Sequence, residues 1–330
     1  MATSVNKKRE IHAAPKKGSP VQVPLLDKLD NALAKRLTMI QWIGLAIGLI
    51  LACLLFEINV SDGGDDSMYI ENAYNFLHGG VLPVYKGTLY ALLLSGVIAV
   101  FGTSLIPMKI FSLLLVMGSL FFYFKAFRNR VAPTVLVCSY ILVSVCSYYF
   151  YFASQTYSEA LYLFLQALLI FLFLKYFVEN EEKDLHLGQF LPRIAAVAFV
   201  AFLLYITRNI GLVAIVAMCV FFAVEKRWKT AGALLLAFVV IFILFSFLKK
   251  YYWGVEGSFG GSQFAEISYK NLYNKQLGHE DLVGYIHRFF VNSNNFFSKH
   301  LYMFMGFREE HTKPIALYTT ITYLLLGLSV

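Results

Sequence analysis

The chain has 330 residues, of which 58% are apolar and only 15% charged, and its mean hydropathy is +0.64. Ordinary soluble domains carry roughly a quarter charged residues, so a soluble globular protein is excluded and the length is better counted in membrane crossings of about 20 residues each. The net charge of +8 is no nucleic-acid signal, because residues 1–37 alone hold eight Lys and Arg against three acids, the pattern of a tail kept on the cytoplasmic side.

A cleavable signal peptide would have its apolar core near the start, whereas about 37 polar residues come first here, so 38–58 is expected to be a retained first helix. Residues 38–58 form the first apolar run, followed by runs at 88–102, 107–127, 133–150, 158–178, 191–207, 209–224, 231–250 and 315–330. If all nine crossed, Arg128, Arg130 and the Glu225, Lys226, Arg227, Lys229 cluster would lie outside, against the positive-inside rule. The run at 88–102 is the one expected not to cross, since 15 residues span only about 22 Å of a core about 30 Å thick. The expected fold is therefore an all-α polytopic bundle of about eight spans. It comprises a basic tail (1–37), a transmembrane module (38–250) with an external loop at 59–106, a second large external loop (251–314) and a last span (315–330). The chain ends at Val330 inside an apolar run, which reads as a piece of a longer protein. Cys53, Cys138, Cys146 and Cys219 all lie in apolar runs and give neither a disulfide framework nor a metal spacing.

The first external loop opens with Ser61, Asp62, Gly63, Gly64, Asp65 and Asp66. These residues fit a solvated glycine turn; equally, a carboxylate beside a low-dielectric surface suits a general base, and adjacent acids can hold a divalent cation. Residues 68–77 place Tyr69, Ala73, Phe76 and Leu77 on one face and Glu71, Asn72 and Asn75 on the other, an amphipathic helix suited to the membrane interface. Further along, Glu159 stands at the head of an apolar run and Arg208 between two runs. A charge in the latter setting is expensive and marks a functional site, and a guanidinium makes bidentate contacts to phosphate. Glu159 also fits ordinary complementarity to a helix dipole, and Lys86 fits a side chain snorkelling to the interface.

The segment DDSMYIENA, with Lys86, Gly87 and Thr88 after it and an apolar run ending at Phe101 and Gly102, resembles the first-loop pattern D-E-x-x-Y-x-x-x-A of the GT-C superfamily of integral-membrane glycosyltransferases. The branch it resembles is glycosyltransferase family 39, which includes protein mannosyltransferases and bacterial aminoarabinose transferases. The resemblance implies that Asp65 is the base acting on an acceptor hydroxyl, with Asp66 in place of the family's Glu. It implies that Lys86 and Arg208 meet the donor phosphate and that Glu159 is the acid of the second external loop. The implied reaction moves a sugar from a polyprenyl-phosphate carrier to a lipid, glycan or protein acceptor at the external face of a bacterial inner membrane, with inversion. No cofactor is strictly required, although Asp65 and Asp66 leave a divalent cation open. The loop at 251–314 is rich in aromatics but balances six basic residues against six acids, so it offers nothing to nucleic acid. A secondary transporter with its site near Arg208 is the alternative from another class, and a non-catalytic membrane scaffold is a third.

Overall fold

The computed structural model describes residues 25–61, 64–84, 87–179, 187–255, 267–271, 274–304 and 313–328. Regular structure among the described residues is helical, beside one isolated antiparallel bridge between Tyr269 and His279. In order the helices are α1 (Leu25–Ala34), α2 (Leu37–Leu54), α3 (Asp65–Gly79), α4 (Leu89–Phe101), α5 (Leu105–Phe127), α6 (Pro133–Ser144), α7 (Ser147–Tyr151), α8 (Ser158–Phe173), α9 (Leu187–Thr207), α10 (Leu212–Val224) and α11 (Trp228–Trp253). Beyond them lie α12 (Leu282–Asn295), α13 (Leu301–Phe304) and α14 (Ala316–Leu328).

Among the described residues five helices are long and apolar enough to cross a membrane, and six if α6 and α7, bent by 52° at their junction, form one broken span. The molecule is thus an integral membrane protein. Two of the expected eight spans fall short in length: 209–224 forms a 3-10 turn plus α10, and α14 has 13 residues.

Polar ties assign several helix ends to one of two faces. At one face Arg128 donates to Thr38 Oγ1 (2.8 Å), Arg130 pairs with Glu179 (2.9 Å) and Arg227 donates to the Phe177 carbonyl (2.8 Å). These join the start of α2, the end of α5, the end of α8 and the start of α11, so the basic loops that charge counting places together do lie together. At the other face, Lys109 near the start of α5 donates to the carbonyls of Glu57 (2.9 Å) and Asn59 (2.5 Å), just beyond α2. The exit of α2 and the start of α5 therefore share a face, and the run containing α4 makes no net crossing. At 13 residues α4 reaches only about 20 Å.

Packing explains why α4 stays. Tyr90, Ala91, Leu94, Ser95 and Ile98 form a buried stripe at helical spacing, so α4 is sealed against protein on that side. The expectation for residues 68–77 needs correction: Tyr69 and Ala73 are buried in this same core, with Tyr69 edge-on to Tyr90 at 5.2 Å. Of the four apolar positions only Leu77 is exposed, at 40%, so α3 turns its apolar face mainly to protein and not to lipid. On the far side of the bundle, α2 presents Gln41, Gly44, Gly48 and Ala52 as a buried stripe. A Cβ at Gly44 or Gly48 would run into the Tyr140 or Phe150 ring, which is the small-residue packing that brings membrane helices close where no hydrophobic driving force acts between them.

The region 251–314 contains an element that its aromatic content alone does not reveal. α12 runs through a π-helical turn at Phe296–His300 into α13, forming a helical stretch from 282 to 304. It is fixed to α14 by Thr319 Oγ1 donating to Asn294 Oδ1 (2.6 Å).

Candidate functional site

The face opposite the basic loops gathers the first turns of α3 and α8 and the end of α9. Asp66, in the first turn of α3, is fully buried. Its Oδ2 accepts from the Ser61 amide (2.8 Å), and its Oδ1 accepts from both the Thr156 amide (2.7 Å) and the Thr156 hydroxyl (2.5 Å). Three donors on one buried carboxylate make a strong charge-assisted cluster. Asp66 thereby stitches the end of the α2 loop, α3 and the loop before α8 into one floor. Ser61 Oγ and the Tyr157 hydroxyl add a second stitch at 2.6 Å.

Asp65, the neighbouring acid, is half-buried. Its charge reaches Tyr69, one turn along the same helix, as do those of Glu159 and Arg208. Tyr69 is the hub of this group: its hydroxyl donates to Ser158 Oγ (2.8 Å), and Arg208 Nη1 approaches the same oxygen at 3.5 Å. Burial pushes the Tyr69 phenol up to about 12, against the lowering effect of the Ser158 bond. Arg208 also forms an ion pair with Glu159. Both partners are partly exposed, at 39% and 30%, so the pair contributes little to stability and can be exchanged for another anion at small cost. The Arg208 charge also reaches the Tyr162 phenol.

Lys86 lies outside the described residues, as does Asp62. The residues after Lys86 are placed, and they dock on the end of α9. Thr88 N donates to the Ile206 carbonyl (2.8 Å) and Thr88 Oγ1 to the Pro83 carbonyl (2.7 Å). Gly87 has φ of 95°, and a Cβ there would fall on the Thr207 carbonyl oxygen. Only glycine satisfies both demands.

The structure therefore brings together Asp65, Glu159 and Arg208, and it anchors the segment that follows Lys86 against Thr207. It assigns Asp66 to a buried bracing position. Two further residues matter that sequence reading passes over. Lys109 is fully buried, braces the α2 exit and lies within electrostatic reach of Asp66; the argument that singles out Arg208, a charge within apolar sequence, applies to it equally. Gln155 is 2% exposed and its Oε1 accepts no hydrogen bond among the described residues, which only tertiary burial reveals. Among the described residues no group of three or more His, Cys, Asp or Glu stands close enough to hold a metal ion.

A cavity of about 610 Å³ starts beside this cluster. Tyr162, Gln166, Leu169 and Phe173 line it from α8. From the 3-10 turn and α10 come Ile210, Val213, Ala217 and Phe221. Both sets recur every three or four residues, so the cavity is a groove along two helices, about 18 Å from Tyr162 to Leu174 at 1.5 Å per residue. Apart from Tyr162 and Gln166 its lining is apolar, and its upper end lies within one turn of Glu159 and Arg208.

Neither a protein-family model, nor a curated protein, nor a solved structure matches this chain.

Proposed function

We propose that the protein is a GT-C-type membrane glycosyltransferase with about eight spans, moving a sugar from a polyprenyl-phosphate carrier to an acceptor hydroxyl at the external face of a bacterial cytoplasmic membrane. The observation that carries this reading is the junction of Arg208 and Glu159 with the head of an apolar groove running down α8 and α10. A cation at the membrane surface joined to a hydrocarbon-lined channel matches a phosphate on a long prenyl tail. The resemblance of the first loop points the same way.

In this reading the prenyl chain occupies the groove and its phosphate replaces Glu159 as the partner of Arg208. Asp65 accepts the proton of the acceptor hydroxyl, whose oxygen attacks the anomeric carbon. The bond from that carbon to the phosphate oxygen breaks, its electron pair leaving with polyprenyl phosphate. Arg208 and Lys86 stabilise the charge that grows there, and a single displacement inverts the anomeric centre. Ser158 and Tyr69 hold the guanidinium in place. Two cations supply the neutralisation, so no divalent cation is required by this scheme.

The transporter alternative relies on Arg208 breaking a helix within the membrane. Arg208 instead stands between α9 and the shorter α10, paired with Glu159 at the head of the groove, and this favours the transferase.

The test supplies membranes containing the protein with a polyprenyl-phosphate sugar labelled in the sugar. Transfer with release of polyprenyl phosphate is expected, falling by about 100-fold or more in Asp65→Asn, the scale of a lost general base. Undiminished transfer in that variant removes Asp65 from the mechanism, and solute uptake without transfer replaces the transferase with the transporter.

A further inference from the structure

A second cavity, of about 320 Å³, lies between α5, α6 and α8, within the size range of small-ligand pockets. Leu120, Phe124 and Phe127 line it from α5, Leu136 and Val143 from α6, and Leu163 from α8. It exists because α6 packs chiefly on α1 and α2 and only lightly on α5, and because the chain bends by 52° where α6 meets α7. Its tyrosine hydroxyls are committed elsewhere. Tyr123 donates to Gln166 Oε1 (3.1 Å), Tyr140 donates to the Gln41 carbonyl (3.0 Å), and Tyr149 shares a hydrogen bond with Ser119. With these hydroxyls engaged, Ser139 is the one other polar side chain in a wall that is otherwise apolar, a lining that suits hydrocarbon better than water. Phe127 is the one lining residue it shares with the groove beside Arg208, and α8 separates the two.

The open end carries positive charge. Leu120, Phe124 and Arg128 follow one another at i, i+4 spacing, so Arg128 lies one turn beyond the cavity-lining Phe124, at the face of the basic loops. Arg128 donates to the neutral Thr38 hydroxyl, and Lys125 lies over the Phe121 ring at 5.6 Å. Neither has an ion-pair partner among the described residues. At this end the acid Asp30 is taken up by the amide and hydroxyl of Thr134, at 2.8 and 2.6 Å.

We propose that this cavity is a binding site for an anionic phospholipid of the leaflet opposite the candidate active site, with one acyl chain between α5 and α6 and the phosphate at Arg128 and Lys125. Hydrocarbon lining fixes the tail, and the two cations, which have no ion-pair partner among the described residues, select the headgroup, as basic pockets between membrane helices do. The site is separate from the proposed reaction and does not depend on it.

The full chain, reconstituted in nanodiscs of phosphatidylglycerol and phosphatidylcholine, is examined by native mass spectrometry after release. The wild type is expected to retain phosphatidylglycerol over phosphatidylcholine by about fivefold or more, the scale of one surface cation. Arg128→Gln is expected to bring that preference close to parity, and Val143→Phe, which fills the cavity, to reduce retention of both lipids. Leu163→Phe, entering from the opposite wall, replaces Val143→Phe if that variant does not fold. Equal retention of the two lipids by the wild type overturns the headgroup assignment. Unchanged retention by a folded cavity-filling variant overturns the tail site.

Discussion

Substituting Asp66 separates bracing from chemistry at the cluster of acids in the first loop. In Asp66→Asn the side chain keeps its shape, and Oδ1 can still accept from the Thr156 amide and hydroxyl. The second oxygen becomes an amide nitrogen, however, and its hydrogens then face the Ser61 N–H that now donates to it at 2.8 Å. One charge-assisted bond, worth about 1.5–3 kcal/mol, is lost, and the two that remain are weakened to neutral ones. A total cost of about 3 kcal/mol follows from these ranges, and at roughly 2–4 °C per kcal/mol the melting temperature falls by about 6–12 °C. Asp66→Ala leaves all three donors buried without partners and costs more, about 1–3 kcal/mol for each. Scanning fluorimetry of the detergent-purified protein measures the shift, with Asp65→Asn as the comparison that leaves stability close to wild type. A double-mutant cycle with Thr156→Val should return a coupling energy between the two positions. If Asp66→Asn melts at the wild-type temperature yet abolishes transfer, the bracing argument fails and Asp66 takes the chemical part assigned to Asp65.

Three other outcomes follow from the same geometry. Gly87→Ala sets a Cβ against the Thr207 carbonyl at a positive φ; it is expected to loosen the docking of the loop on α9 and lower transfer, seen as faster proteolysis near residues 84–88, and an unaltered cleavage pattern with full activity would contradict the close approach. Because the folded Tyr69 phenol titrates at about 12 against an ordinary 10, its contribution is complete below pH 10 and is lost as pH rises from about 10 to 12, on the order of 3 kcal/mol from the shift. Tyr69→Phe should flatten that part of the melting-temperature profile, and an identical alkaline profile in the variant would remove Tyr69 as its source. Glu159→Gln frees Arg208 from its ion pair, so vesicles containing polyprenyl phosphate should bind the variant several-fold more tightly; weaker binding would make Glu159 a residue that positions Arg208 and not one that a phosphate displaces.

Much of this protein is legible from composition and charge. The apolar runs and the few basic residues between them determine the membrane class, the sharing of one face by the loops at 128–130 and 225–229, and the failure of the 88–102 run to cross. These are properties of single helices in a fixed-thickness solvent, where length and transfer energy decide. Asp65, Glu159 and Arg208 stand out for the same reason, since charges are rare beside apolar sequence and costly there. What the tertiary structure alone decided is how those residues are used. Asp65 and Asp66 are adjacent and chemically alike, yet one is fully buried on three donors and the other half-buried toward Tyr69, a difference that depends on Thr156 and Ser61 arriving from other segments. The apolar face of 68–77 could have met lipid or protein equally well, and Tyr90 of α4 made it protein. Gly87 needed the Thr207 carbonyl, Lys109 the carbonyls beyond α2, and both grooves the spacing between helices. Contacts between distant segments leave no periodic trace along a chain, which is why they appear only once it is folded.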